Sequence, residues 1–469
     1  MVAGLLLSAG TPLLVLLANP PVGIWPLIFV AFTPMVVAQH RVLPRRWSWL
    51  APAIGIGGAY AVYFSPGLRD GEVAIVFQLM PLYVAVIAAL VAGRSRAFAE
   101  RTDYRWIALS APLAWTAIDF VRSTGSETMG GTWGFHAYAL YDHPLLLQPV
   151  SVFGVTGLQL LIVLTSWAVA GWILRGRAGR PAALAVAALL LAWAGSSALM
   201  MDSAPPTVRV AAVQDGLPNN DHRAPERLER YIAQTRDAAA RGARLVVWNE
   251  GGLRFDPQRE HTEELQALAR DTDTFLVMGY LVKEGDGKTR NATTLLTPEG
   301  RFLGVYGKDH PGTFAGDIND FQGDFPVYDT ELGTLATIIC YDLDYTDTAR
   351  IMTRGGARLI ATSSSDVPSI AVTHYTHLVF RAIENRVSMV KADSRYDSAA
   401  IDPWGRVVTK TVDPDGRTQA TLVADLPLGS GRSPWVSFGN WFGWATVVGA
   451  GAFAVGGVAL RLRARSRRT

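Results

Sequence analysis

The stretch LGTLATIICYDLDYTDTARI, residues 332–351, runs from a short β-branched pattern into Cys340, the only cysteine among 469 residues, and then into acidic and aromatic residues. Thr334, Thr337, Ile338 and Ile339 favour a pleated strand. A strand that ends on Cys340 places the thiol where layered α/β folds hold ligands and reactive groups. With no second cysteine, no disulfide can form within the chain. Cys340 is therefore either a small buried hydrophobe or a reactive group.

The surrounding sequence repeats that texture. VRVAAVQDG (208–216), RLVVWNE (244–250), FLVMGYLV (275–282), NATTLLTPEG (291–300), RFLGVYGK (301–308) and ARLIATSSSD (357–366) read as strands with Gly-bearing turns. Residues 225–241 and 372–387 carry helical spacing, and AAIDPWGRVVTK and TQATLVADLP close the region as hairpin strands. Strands alternating with helices predict an α/β layered domain over 205–434.

Outside that region the chain is apolar. It is 49% hydrophobic and only 18% charged, against about a quarter charged in an ordinary soluble domain. Runs near 3–18, 20–39, 49–65, 73–93, 105–121, 149–174, 181–201 and 436–460 are long enough to cross a bilayer. They predict about eight transmembrane helices: a bundle of about seven in 1–204, and one more with a basic tail in 435–469. The first run lacks a basic flank and is followed at once by another span, so it reads as retained and not as a signal peptide. QHRVLPRRW, GRSRAFAERTDYR, RGRAGR and RLRARSRRT fall on one side, which the positive-inside rule makes cytoplasmic. SPGLRDGE, residues 122–148 and the α/β domain are then extracytoplasmic. The net charge of +3 gives no reason to expect nucleic acid.

Glu250, Lys308 and Cys340 each close a separate strand-like run. Glu250 can accept a thiol proton, and Lys308 can stabilise a thiolate or an oxyanion. From the residues alone, a catalytic trio and a buried structural cysteine both stay open.

VVWNEGGL, VYGKDHPG and ICYDLDYTDTAR resemble the Glu, Lys and Cys motifs of the nitrilase, or carbon–nitrogen hydrolase, superfamily. NPPVGIWPLIFVAFTPMV, APLAWTAIDFVRS, LQPVSVFGVTGLQLLIVL, RAIENR and SAAIDPWGR are similar to the apolipoprotein N-acyltransferase family. The resemblance runs in order over nearly the whole length. It implies an αββα sandwich outside a bacterial inner membrane, a phospholipid acyl donor, a thioester on Cys340 and a lipoprotein acceptor. It implies catalysis by Glu250, Lys308 and Cys340, no metal and no cofactor, in an expected monomer.

The motifs also depart from the family pattern. Trp248-Asn249-Glu250 stands for Trp-Pro-Glu, and Tyr341-Asp342 for Tyr-Glu. KDHPGTFAGD carries Asp317 where a supporting glutamate is expected, and SSSDVPSIA replaces the substrate loop. Trp248, Asp317, Tyr341, Asp342 and Glu384 are accordingly expected to support the site or contact substrate, with Glu384 either bracing it or forming a surface pair with Arg381. His374 and His377 are expected to pack or hydrogen-bond rather than to bind metal, and His310 to be a loop residue. Trp133 is expected at the membrane interface, and Asn291-Ala292-Thr293 matches a glycosylation acceptor common by chance. A membrane-anchored amidase, an N-acyltransferase with another acceptor and a non-catalytic partner are the alternatives.

Overall fold

The structure is a computed structural model. It describes the chain except residues 65–77, 126–129, 202–205, 219–223, 286, 314–316, 322, 369, 371–372 and 467–469. The expected SPGLRDGE loop and the start of the span at 73 lie outside the described residues.

The α/β region contains two six-stranded sheets with strand orders β12-β1-β2-β3-β4-β5 and β11-β10-β9-β8-β7-β6. The strands that position the site are β1 (Thr207–Gln214), β2 (Leu245–Val247), β3 (Phe275–Lys283), β4 (Thr289–Leu296) and β5 (Phe302–Gly307) in the first sheet. In the second they are β6 (Val327–Thr330), β7 (Gly333–Ile339), β8 (Leu359–Ser364), β9 (Ser388–Asp393) and β10 (Asp397–Ile401); β11 (Val407–Val412) and β12 (Ala420–Pro427) close the edges. Alternation along each strand builds two faces. Val208, Val210, Ala212, Leu245 and Val277 meet Leu335, Leu359, Ala361, Val390 and Ala392 in a core between the sheets. Ala211, Val213, Val246 and Leu276 turn outward, beneath helices Ala224–Ala240 and Thr262–Thr272.

The outer face of the second sheet is covered by helices Thr348–Arg354 and Tyr375–Asn385. Every residue of Tyr375–Asn385 is buried, because its far side meets the apolar helices. Ile360, Met389, Phe380 and Ile383 share one continuous cluster with Phe135, Tyr138, Leu158 and Ile162. The αββα sandwich therefore sits directly on the helical part.

Among the described residues, three apolar segments are long enough to cross a membrane: helix Met80–Arg101, the segment Val150–Leu199 and Trp441–Arg463. The second is folded as two helices, Val150–Arg175 and Arg180–Leu199, about the tight turn Gly176–Gly179. Val2–Ala18, Leu50–Phe64 and Ile107–Gly125 are further helices beside them. The run at 20–39 is not the single helix its hydropathy predicts. It breaks into a 3-10 turn at Trp25–Phe29, a short helix at Thr33–Val37 and a π turn at Ala38–Val42. Pro26 and Pro34 enter the first turns of the first two pieces, where a missing N–H costs nothing, and so restart the chain each time.

Gly154 kinks Val150–Arg175 at φ 66, and a side chain there would collide with Trp435, which leads into the last helix. The kink frees the N–H of Val155, which donates to Glu384 Oε1 at 2.8 Å.

Candidate active site

Three strand ends of the sandwich converge. Glu250 lies three residues past the end of β2, Lys308 follows β5 directly, and Cys340 follows β7. They retain 6%, 2% and 8% of their exposure, so charges here act on one another with little screening by water. Cys340 has φ 44, a left-handed conformation that an L-residue holds only at a cost of order 1–3 kcal/mol. The turn that holds it is clamped by Asp342. Asp342 Oδ2 accepts from the Ile339 N–H at 2.8 Å and from Tyr306 at 2.7 Å, and Oδ1 accepts from the His310 N–H at 2.8 Å. Burial lifts the Asp342 carboxyl to about 7, against the pull of His310 and Lys308.

Lys308 Nζ is shared by two carboxylates. It donates to Glu250 Oε1 at 2.8 Å and to Asp317 Oδ2. Burial opposes its charge, yet Asp317, Glu250 and the nearby Cys340 raise the ammonium well above the usual lysine range. Asp317 is held in turn by the Gly312 N–H at 3.1 Å. Against burial, Lys308 keeps its carboxyl below the ordinary value. Asp309 lies apart, accepting from Thr348 Oγ1 at 3.0 Å.

Asn291 completes this set. Its Nδ2 donates to Glu250 Oε1 at 2.7 Å and to Asp317 Oδ1 at 3.1 Å. The sequence marks Asn291 only as part of a chance glycosylation triplet. Its place on β4, paired with β3 and β5, is what brings it here, and no local motif signals that pairing.

The thiol is raised well above its usual range, by burial first and then by Glu250, with Lys308 opposing and Asp366 adding to the rise. Asp366 follows β8, and its Oδ1 lies 3.7 Å from Cys340 Sγ. The same oxygen accepts from Ser364 at 2.7 Å and faces His374 Nδ1 at 2.9 Å. His374 bridges to Asp344, whose Oδ1 lies 3.4 Å from its Nε2 and 2.7 Å from His377 Nδ1. Burial opposes charge on His374, but Asp366 and Asp344 raise it to about 10. His377 drops to about 4 through burial. Cys340, Asp366 and His374 offer ligand-type atoms within 4.8 Å of one another. Lys391 Nζ, 2.6 Å from Asp366 Oδ2, already sets an ammonium against the other oxygen of this carboxylate.

Other expected site residues lie elsewhere. Trp248 does not face the thiol: its indole stacks on Tyr231 at 4.6 Å and donates to Thr235 at 3.0 Å, in the outer layer beneath helix Ala224–Ala240. Only its carbonyl turns inward, accepting from Ser363 at 2.7 Å. Tyr341 is buried edge-on to Tyr345 at 5.3 Å. Glu384 is neither a surface partner nor a brace on the thiol. It is fully buried, paired with Arg381 at 2.9 Å, and bound to the helical part through Val155. Trp133 packs over His377 at 4.6 Å, between the helices and the sandwich. His310 stacks on Tyr345 at 3.9 Å and reaches Asp347 at 3.1 Å.

A buried carboxylate, ammonium and thiol at three strand ends of an αββα sandwich define a carbon–nitrogen hydrolase. Residues 209–433 match the carbon–nitrogen hydrolase family. Residues 11–168 match the N-terminal domain of apolipoprotein N-acyltransferases. The chain is 28% identical to an apolipoprotein N-acyltransferase of Geobacter metallireducens over 96% of this chain and 94% of that protein. It is 27% identical to an omega-amidase, NIT2, of Mus musculus over 43% of this chain and 83% of that one. A solved amidase from Nesterenkonia sp. shares 21% identity, covering 49% of this chain and 94% of that one, with a TM-score of 0.41. Within the hydrolase superfamily, the chain belongs to the apolipoprotein N-acyltransferase family, whose helical and hydrolase domains it carries in the same order.

Proposed function

We propose that the protein is a bacterial membrane N-acyltransferase that moves an acyl chain from a phospholipid, through a thioester on Cys340, to the N-terminal amine of a diacylglyceryl-cysteine lipoprotein. The observation that carries this reading is the placement of the only thiol, in a strained strand-end turn, within the field of a Glu250–Lys308 pair. Cys340 Sγ bonds to the ester carbonyl carbon while its proton passes to Glu250. The oxyanion that forms is met by the Lys308 ammonium. As the carbon–oxygen bond breaks, the departing lysophospholipid oxygen takes the proton back from Glu250. The acceptor amine then attacks the thioester, its surplus proton goes to Glu250, and the thiolate leaves and is reprotonated.

Residues 1–204 and 435–469 serve as the membrane part, with about eight crossings, and residues 205–434 as the catalytic domain on the extracytoplasmic face. The shared cluster that joins Phe380 to Tyr138 and Leu158 supports this division. It seats the catalytic domain on apolar helices, where an acyl chain resides.

Incubating the full chain with phospholipid and weighing it should show one acyl group on Cys340, cleared on adding a lipopeptide amine. No mass gain on Cys340, or acyl transfer by Cys340→Ala, overturns the reading. In the amidase alternative, water clears the thioester as fast as the amine does. The match over both domains favours the transferase, since the amidase relative aligns with less than half of the chain. In a Cys340→Ala background, Gln258→Cys should react with an impermeant thiol reagent from outside the cell and Arg177→Cys should not. The opposite pattern reverses the topology.

A further inference from the structure

The acyl-transfer scheme uses one face of the thiol, toward Glu250 and Lys308. The other face meets a second buried network that the scheme leaves unused. Cys340 Sγ lies 3.7 Å from Asp366 Oδ1, within the range of a sulfur hydrogen bond. We propose that Asp366 accepts the Cys340 S–H hydrogen bond in the resting enzyme, and that His374, wedged between Asp366 and Asp344, is the positioning residue that tunes this acceptor. The proposal rests on the reading of Cys340 as the nucleophile.

The geometry around Asp366 is specific. Its Oδ1 takes Ser364, His374 and the thiol, its Oδ2 takes Lys391, and its own N–H donates to Asp393 at 2.9 Å. Lys391 also holds Asp397. Asp366, His374, Lys391, Asp393 and Asp397 are all buried, so the network cannot trade partners with water. A buried carboxylate that accepts several charged donors stays ionised, and Asp366 is lowered well below the usual value by His374 and Lys391, against burial. An ionised carboxylate beside a thiol disfavours the thiolate. A charged imidazole behind that carboxylate offsets part of the effect.

The network also reaches the helical part. The Asp344 carbonyl accepts from the Thr132 N–H and hydroxyl, each at 2.8 Å. Gly131, at φ 48, lies so close to that carbonyl that a side chain would collide with it. Arg122 holds the same loop through the carbonyls of Gly131 at 3.0 Å and Trp133 at 2.7 Å. Helix Ile107–Gly125 is thereby tied through Asp344 and His374 to the thiol. His374 is fixed by two domains at once, which is what a positioning residue requires.

The charged and titratable groups acting on the thiol are Glu250, Lys308 and Asp366. Those acting on His374 are Asp366, Asp344 and Lys391, with His377 in ring contact. Removing one charge from this set has a definite sign. Asp366→Asn removes the negative charge 3.7 Å from Sγ and should lower the thiol's titration midpoint. His374→Gln leaves the carboxylate with less compensation and should raise it. Each shift should be about one pH unit or more, the usual effect of one charge within a few ångströms.

The test is the rate of iodoacetamide alkylation against pH in the detergent-purified full chain, where Cys340 is the only cysteine. Thermal melts of each variant check folding. Midpoints moving in opposite directions in the two variants support the proposal, since a purely structural defect gives no such pair of signs. Unchanged midpoints, or shifts of the same sign, overturn it. If Asp366→Asn does not fold, Lys391→Gln replaces it. That variant removes the ammonium 2.6 Å from Asp366 Oδ2, acts on the thiol only through Asp366, and should raise the midpoint; an unchanged or lowered midpoint overturns the proposal. Whether Cys340→Ala still transfers acyl chains decides the thioester reading separately, because alkylation needs no acyl donor.

Discussion

Replacing Asp317 by alanine removes one of the two carboxylates that hold the Lys308 ammonium, and the structure sets the size of the expected loss. Lys308 keeps Glu250 at 2.8 Å, so the lysine does not become an unpaired buried charge and the full cost of about 3–5 kcal/mol for breaking a buried pair is not reached. One charge-assisted hydrogen bond to Lys308 disappears, Asn291 keeps only Glu250 of its two acceptors, and the Gly312 N–H loses its acceptor. A charged hydrogen bond contributes about 1.5–3 kcal/mol. If half or more of that acts on the oxyanion-stabilising position of Nζ, acylation slows by at least about tenfold, or roughly 1.4 kcal/mol. Single-turnover acylation of Cys340 by phospholipid, followed by intact mass, isolates this step from amine transfer. Asp309→Ala is the control, since Asp309 bonds Thr348 and is not among the partners of Lys308. Asp317→Glu should keep part of the rate by restoring the charge. If folded Asp317→Ala acylates as fast as the unaltered chain, the loop that carries Asp317 is a cover and Glu250 alone sustains Lys308.

Cys340→Ser should be nearly inactive in the same assay, because a hydroxyl ionises far less readily beside the same groups; turnover close to normal would refute a thioester route. Asn291→Ala leaves Glu250 and Asp317 each short of a donor and should cost about 1–3 kcal/mol of stability, read by chemical denaturation. Asn291→Asp should be worse, since it adds a third carboxylate around one ammonium. Glu384→Ala leaves Arg381 buried without its partner and should destabilise by about 3–5 kcal/mol, with Glu384→Gln milder because it can still accept from Val155. A melting temperature for Glu384→Ala within a degree of normal would mean that this pair does not hold the two domains together.

The reactive set was legible to different depths. Glu250, Lys308 and Cys340 stand at the ends of strand-like runs, so a period of two and a stop signal are enough to nominate them. Asn291 gives no local sign, and Asp366, although it closes the strand-like run ARLIATSSSD, is not singled out by it. Asn291 depends on the pairing of β4 with its neighbours, and Asp366 on β8 lying parallel to β7. Such long-range pairings are not written in any short window. Trp248 is nominated by its place beside Glu250 in the motif, but its indole continues the outward face of Val246 and falls on the helix side. The run at 20–39 is apolar enough to cross a membrane, but its prolines decide the backbone, and hydropathy does not count them. For Glu384 the sequence leaves a surface pair with Arg381 and a brace on the site both open, because a spacing of three suits a solvent-exposed pair and a buried one equally well.

The burial of Glu384 exposes how the two domains are joined. An outer helix of an αββα sandwich normally turns its polar side to water. Helix Tyr375–Asn385 carries polar residues on that side, yet none of the helix is exposed. Several of its polar groups tie the sandwich together or to the helical part. Arg381 donates to the Tyr345 carbonyl at 2.9 Å, Glu384 accepts from the freed Val155 N–H, and His377 stacks on Tyr138 at 4.2 Å. Just past the helix, Arg386 reaches Gln148 and Ser151. Unpaired, these buried groups would each cost more than they return when paired. Their contribution is therefore less to affinity between the domains than to fixing one orientation. A sandwich that slid or rotated on the helices would strand several charges at once. On the proposed function, an acyl chain delivered along the apolar helices would then meet the thiol at a constant depth and angle, and a thiol that attacks an ester at the edge of a bilayer would depend on that constancy.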